Sequence, residues 1–159
     1  MTSTLRTLSD QLWTGKKTTR VDNPMMQMHG LESISDGLAF ISSFANVTAL
    51  STSEGLVLID TGSFLLAQMT HTQLRQWTDL PLHTAIFTHG HADHVFGVAP
   101  FEREARDKGW AQPAVIAHEA VPARFDRYQI TAGYNAAINE RQFRIPGLVW
   151  PTQYRYPDT

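Results

Sequence analysis

Thr88-His89-Gly90-His91-Ala92-Asp93-His94 gathers three of the chain's seven histidines and a carboxylate into six positions. The cluster from His89 onward directly follows a short strand expected over 83–88 and precedes a helical pattern. Imidazole and carboxylate are the donors that suit a borderline Lewis acid such as Zn²⁺, and a loop leaving a sheet can fold several side chains onto one point. Gly90 is expected to give that turn its backbone freedom. In a regular backbone His91 and Asp93 point away from His94, so one loop can serve two adjacent metal positions. The alternative is a hydrogen-bonded polar loop without metal, and the density of ligand types argues against it.

Outward from this loop the order is strand, helix, strand, helix. Upstream, residues 38–44, 46–51 and 55–59 are short β-rich runs separated by turn chemistry such as Asp36-Gly37 and Ser53-Glu54-Gly55. Leu56-Val57-Leu58-Ile59 is apolar on consecutive positions, which predicts a central strand covered on both faces. It ends at Asp60-Thr61-Gly62. Apolar positions 65, 66, 69, 74 and 77 predict a helix over 64–77. A second helix is expected from about 92 through 108, interrupted near Pro100, then a strand over 114–117. Residues 119–143 read as helix with a break at Gly133. Near the start, Leu5, Leu8, Leu12 and Trp13 predict a short peripheral helix. The tail, 146–159, has three prolines and no periodicity, and offers no closing strand.

His89-x-His91-x-Asp93-His94 after a strand resembles the signature of the metallo-β-lactamase superfamily. Gly55-Leu56-Val57-Leu58-Ile59-Asp60-Thr61-Gly62 is similar to the strand ending in Asp-Thr-Gly that precedes the family's metal loop. The resemblance covers roughly 38–117. More weakly, Ala132-Gly133-Tyr134-Asn135-Ala136 is similar to a segment of alkyl-sulfatase-like members. It implies an α/β fold, the metallo-β-lactamase-like αββα sandwich. It also implies that His89 and His91 bind a first metal, Asp93 and His94 a second, and that Asp60 orients the loop by hydrogen bonds to its ligands. Asp60 could instead be a turn residue accepting backbone N–H groups before Gly62, and the two roles are compatible.

The family's second half supplies further ligands, and here the pattern departs. After His94 only His118 remains. It lies in the wrong context to replace them and reads as a strand-terminal or helix-cap residue. Residues 1–159 are therefore expected to form a single domain corresponding to the N-terminal half of the fold, truncated at its C-terminal end. One sheet face would lack its cover, which favours a homo-oligomer or a partner in place of the missing half.

Composition sets the outer bounds. A length of 159 residues with 42% apolar and 18% charged side chains fits one globular domain. The net charge of -2 and the lack of any Lys/Arg run argue against nucleic acid. The absence of cysteine excludes disulfides, thiolate ligands and thiol nucleophiles. No stretch approaches the roughly 20 apolar residues of a membrane span, so no membrane partner and a cytoplasmic location are expected. His29, His71 and His83 stand singly and read as surface or satisfied polar residues. Arg124 and Arg127 with Asp126 could meet an anionic substrate but read rather as an exposed helix face of mixed charge, and Tyr128, Tyr134 and Phe143 could wall a pocket but read rather as packing.

The expected function is a zinc-dependent hydrolase with one or two ions. Metal lowers the pKa of water from about 15.7 toward 7, and the resulting hydroxide, oriented by Asp93, attacks an ester, lactone or sulfate-ester small molecule. Two alternatives stay open: a metal-binding fragment or subunit without activity of its own, and a mononuclear iron enzyme performing oxygen chemistry on a thiol.

Overall fold

Strand propensity and turn chemistry build the first half of the chain into an antiparallel meander, and two crossover helices extend it with parallel strands. The computed structural model describes residues 4–22, 30–144, 146–147 and 149–159; His29 lies outside them. The elements run α1 (Thr4–Trp13), β1 (Gly30–Ser35), β2 (Leu38–Ser42), β3 (Val47–Thr52), β4 (Gly55–Ile59), α2 (Ala67–Trp77), β5 (Leu82–Phe87), α3 (Ala99–Lys108), β6 (Ala114–Ala117), α4 (Val121–Ile130) and α5 (Ala132–Phe143). The six strands form one sheet in sequence order. β1 to β4 pair antiparallel, and β4, β5 and β6 pair parallel. As its consecutive apolar residues predict, β4 is central. It lies between an antiparallel and a parallel neighbour, and Leu56 and Leu58 are fully buried.

The parallel strands step across the sheet in one direction, and right-handed crossovers then place α2 and α3 on the same face. Ala39, Ile41, Val47, Ala49, Leu58, Ala85, Phe87 and Val115 point into that face, against Leu74 of α2, Phe101 of α3 and Phe125 of α4. Where α2 and α3 meet, Glu104 accepts hydrogen bonds from Arg75 Nε at 2.8 Å and Lys108 Nζ at 2.9 Å, and pairs with His71 Nε2 at 3.1 Å. His71 is thus a satisfied polar residue and His83 a surface one beside Glu54, both as expected. The opposite sheet face carries Phe40, Val57, Ile59, Ile86 and Ile116. α1 covers its β1–β2 end, where Leu5, Leu8 and Leu12 line a cleft of about 380 Å³ with Ile34 and Phe40. Farther along, Val57, Ile59 and Ile86 are half-buried and Ile116 is 42% exposed. Among the described residues no helix is long and apolar enough to cross a membrane.

Three expectations are corrected. Residues 92–98 are not helical, and α3 starts at Ala99 with Pro100 in its first turn, where a missing N–H is harmless. The preceding backbone is committed elsewhere: Phe96 N–H donates to Gly62 O (3.1 Å), Gly97 N–H donates to Thr61 Oγ1 (3.0 Å), and Val95 bridges Gly62. The helical break after β6 falls at Thr131, with Gly133 inside α5. The tail does close on the sheet. Asp158 N–H donates to Val115 O (2.7 Å), Ala117 N–H donates to Thr159 O (2.9 Å), and Tyr154 stacks on Phe125 at 4.4 Å. Its prolines hide the periodicity but leave the intervening N–H groups free to pair.

Candidate metal centre

The site forms where two parallel strands end side by side, the usual crevice of an open α/β sheet. β4 ends at Ile59, and Asp60 turns the chain with φ 55°, a left-handed conformation that few non-glycine residues adopt. Its own N–H still donates to Ile86 O of β5, at 2.8 Å. The turn leaves the Asp60 carboxylate buried, 7% exposed, under the start of the histidine loop.

Three donors converge on that carboxylate. Thr88 N–H donates to Oδ1 at 2.8 Å, the Thr88 hydroxyl lies 2.8 Å from Oδ2, and His94 Nδ1 lies 2.8 Å from Oδ2. With its proton directed at Asp60, Thr88 Oγ1 is left as the acceptor for His89 Nδ1, 2.9 Å away. These partners assign both imidazoles the Nδ1–H tautomer and leave the Nε2 lone pairs of His89 and His94 free. Burial drives the Asp60 pKa up, but the hydrogen bonds from His94 and Thr88 outweigh it and hold the group ionised below the usual carboxylate range. The same bond to Asp60 holds His94 above its ordinary value, against burial. Burial pushes His89 down, assisted by charge on His94 and His91.

The loop backbone is clamped from the β4 side. Thr61 N–H and Oγ1–H donate to His94 O at 2.8 and 3.1 Å. Gly97 packs so closely on Thr61 that a Cβ there would sit 1.8 Å from Thr61 O. Gly90 serves differently from the expectation. Its φ lies outside the left-handed range, and its role is space: a Cβ would come within 2.9 Å of Arg124 Cγ.

The histidine rings gather tightly. His89 lies 4.5 Å from His91 and 4.3 Å from His94, centroid to centroid. Asp93 Oδ2 is 3.5 Å from His94 Nε2. Among the described residues, one group of metal-ligating types has ligand atoms within 4.8 Å of one another: Asp60, His89 and His94. His91, exposed, and Asp93, half-buried, flank that group. The donors are imidazole nitrogens and carboxylate oxygens, the set a zinc-type cation takes, and the orientation of His94 by a buried carboxylate is the usual support for such a ligand. His118 stands apart just after the end of β6, its Nδ1 accepting Ala120 N–H at 3.1 Å in the turn that leads into α4.

A cleft of about 300 Å³ opens beside the loop, lined in part by His91, Asp93, Arg124, Tyr128, Asn135 and Trp150. Reading Arg124 as an exposed residue misses this. Val121 and Phe125 are buried, and helical spacing carries Arg124 and Tyr128 inward with them. Arg127 does face solvent, and Asp126 accepts the Tyr156 hydroxyl at 2.6 Å. Tyr134 is 70% exposed rather than packed. Sequence reasoning also overlooked Thr88, Thr61 and Gly97, although all three lie within three residues of the two motifs.

A sequence description of the metallo-beta-lactamase superfamily matches residues 42–153. No curated protein sequence matches. Solved structures with the same fold include a stereoselective inverting sec-alkylsulfatase from Pseudomonas sp., 24% identical over 71% of this chain with a TM-score of 0.57. A beta-lactamase from Chitinophaga pinensis is 16% identical over 86% of the chain, with a TM-score of 0.53. A metallo-beta-lactamase from Cronobacter sakazakii is 20% identical over 67%, with a TM-score of 0.52. The chain spans 18%, 47% and 40% of the lengths of these three proteins, respectively.

Proposed function

The chain belongs to the metallo-beta-lactamase superfamily, and from that premise we propose that it is the metal-binding part of a zinc-dependent hydrolase acting on an ester, lactone or sulfate ester. His89, His91, Asp93 and His94 are the ligands in this reading, for one or two ions. In this reading residues 1–159 are one domain, supported by the apolar cluster that the sheet, α2 to α4 and the tail share.

The observation that carries the proposal is the pair of anchored imidazoles. His94 is tied through Nδ1 to Asp60, and His89 through Nδ1 to Thr88. Both therefore hold Nε2 ready as a donor, at little further loss of side-chain freedom. When bound, a zinc-type cation lowers the pKa of a coordinated water to near 7 and polarises the scissile group. The protein's own groups supply position. Asp60 would fix the tautomer of His94 and strengthen its Nε2 as a donor, Thr61 holds the loop backbone, and Asp93 would accept a hydrogen bond from the attacking water. The adjoining cleft receives the substrate, with the aromatic rings of Phe44, Phe143 and Trp150 excluding solvent.

The test is turnover of a panel of aryl esters, lactones and alkyl sulfates by protein loaded with zinc and then stripped by chelator. Hydrolysis that follows metal content and disappears in His89→Ala supports the proposal. Absence of turnover from folded, zinc-loaded protein counts against it. That outcome favours a second reading, in which the Asp60, His89 and His94 group holds a single ion without catalysis.

A further inference from the structure

We propose that the cleft beside the histidine loop is a subsite for an oxyanion carried on an otherwise apolar substrate, with Arg124 as its anchor. This deepens the hydrolase reading by naming the class of substrate, and it rests on that reading only for the bond to be broken.

Arg124 is built into the loop it serves. Its stem packs on Gly90, between His89 and His91, at a spacing no larger residue at position 90 would allow. Its guanidinium lies over the Tyr128 ring, 4.6 Å from the centroid, and Nη2 donates to Tyr128 Oη at 3.2 Å. Stacking of this kind holds the planar fork while leaving its edge free.

The guanidinium has no anionic partner of its own. Arg75 and Arg155 are paired with Glu104, Glu102 and Asp158, whereas among the described residues no carboxylate lies within ion-pair distance of Arg124. A half-buried guanidinium with one neutral hydrogen bond retains most of its five N–H donors, and an oxyanion is the ligand that takes two of them at once. Asp93, in the same cleft, is the group that opposes an anion. Its Oδ2 faces His94 Nε2 at 3.5 Å, and in the hydrolase reading its charge is absorbed by the cation.

The remainder of the lining sets the rest of the substrate. Asn135, Asn139 and Gln142 bring amide donors, and Asn135 is held in place by its bond to Thr131 Oγ1 at 3.0 Å. Phe44 and Phe143 meet edge to face at 5.8 Å and, with Trp150, give the cleft an aromatic side. A volume of about 300 Å³ suits a small amphiphile. One end matches a sulfate or carboxylate, and the other a short hydrocarbon chain or ring.

Calorimetric titration of the whole chain, zinc-loaded, with hexane-1-sulfonate, hexanoate and hexanamide tests this directly. None of the three contains a hydrolysable ester, so the readout is independent of turnover. The expected result is saturable binding of the two anions, roughly tenfold or more tighter than the amide. R124Q should lose that preference without changing the affinity for hexanamide, and R124K should recover part of it. Tighter sulfonate binding assigns a sulfate-like group, and tighter hexanoate a carboxylate. Equal affinity of wild-type protein for hexanamide and the anions overturns the proposal, even if R124Q fails to fold. So does an R124Q variant that keeps the preference. Anion selectivity in a protein that hydrolyses nothing leaves the subsite standing and the hydrolase reading refuted. Turnover of neutral esters without anion selectivity does the reverse.

Discussion

His94 Nδ1 lies 2.8 Å from Asp60 Oδ2, joining the end of β4 to the loop that follows β5 across thirty-four positions of sequence. Asp60 reaches this place in a left-handed backbone conformation, buried, with Thr88 donating to it from both backbone and side chain. Such strain persists only where surrounding contacts over-determine it, and here they connect the carboxylate to the candidate ligands. The orientation of His94 toward a metal depends on this bond.

Asp60→Asn tests the bond with little change in shape. An amide tolerates the left-handed conformation but carries no charge and cannot enforce the His94 tautomer. Zinc affinity, measured by competition with a chromophoric chelator, should fall about 10- to 100-fold. Affinity within twofold of wild type would show that Asp60 does not orient His94 for metal.

Gly97→Ala and Gly133→Ala should move stability in opposite directions. At position 97 the new methyl would sit 1.8 Å from Thr61 O, so the backbone holding the histidine loop must shift. The expected loss is about 3 kcal/mol or more, enough to lower the melting temperature by roughly 10 °C. At position 133, inside α5, nothing lies within 4 Å of the added Cβ. There the gain in helix propensity should stabilise by up to about 1 kcal/mol. Thermal unfolding followed by circular dichroism measures both, and a Gly97→Ala protein as stable as wild type would refute the clamp.

Acid should dismantle the α2–α3 junction over a defined range. Burial raises the Glu104 pKa, but hydrogen bonds from Lys108, His71 and Arg75 overcome this and bring it down to about 2. A pKa lower in the folded than in the unfolded state means that the unfolded chain binds the proton first. The stabilisation is therefore complete above the ordinary value of 4.5 and is lost as pH falls from there toward 2. Glu104→Gln should cost about 1 to 3 kcal/mol at pH 7 and flatten the acid limb of the stability curve. Urea unfolding at pH 7, 4.5 and 3 checks this; equal losses at all three would contradict it.

Much of this organisation is legible in the sequence because it is local. Four consecutive apolar residues, Leu56 to Ile59, specify a central strand, although only its Leu56 and Leu58 face is fully buried and Val57 and Ile59 are half-buried on the other, and the histidine spacing specifies a loop rich in donors. What is not legible is decided by partners distant in the chain. Residues 94–97 have a plausible helical pattern, but Thr61 and Gly62 capture their backbone groups, which no local propensity encodes. Arg124 looks like a surface charge until Phe125 and Val121, buried against the sheet, fix the rotation of α4. Likewise the proline-bearing tail lacks any period, yet Asp158 pairs with β6 through its N–H and its carboxylate, forty-three residues away.

Zinc K-edge absorption spectroscopy of the zinc-loaded protein tests the central claim most directly, that the loop's imidazoles and carboxylates share a cation. The account predicts a shell of nitrogen and oxygen donors at about 2.0 to 2.2 Å. It also predicts the outer-ring scattering of at least two imidazoles, diminished in His94→Ala. A zinc shell of oxygen alone, or a spectrum unchanged in that variant, would contradict it.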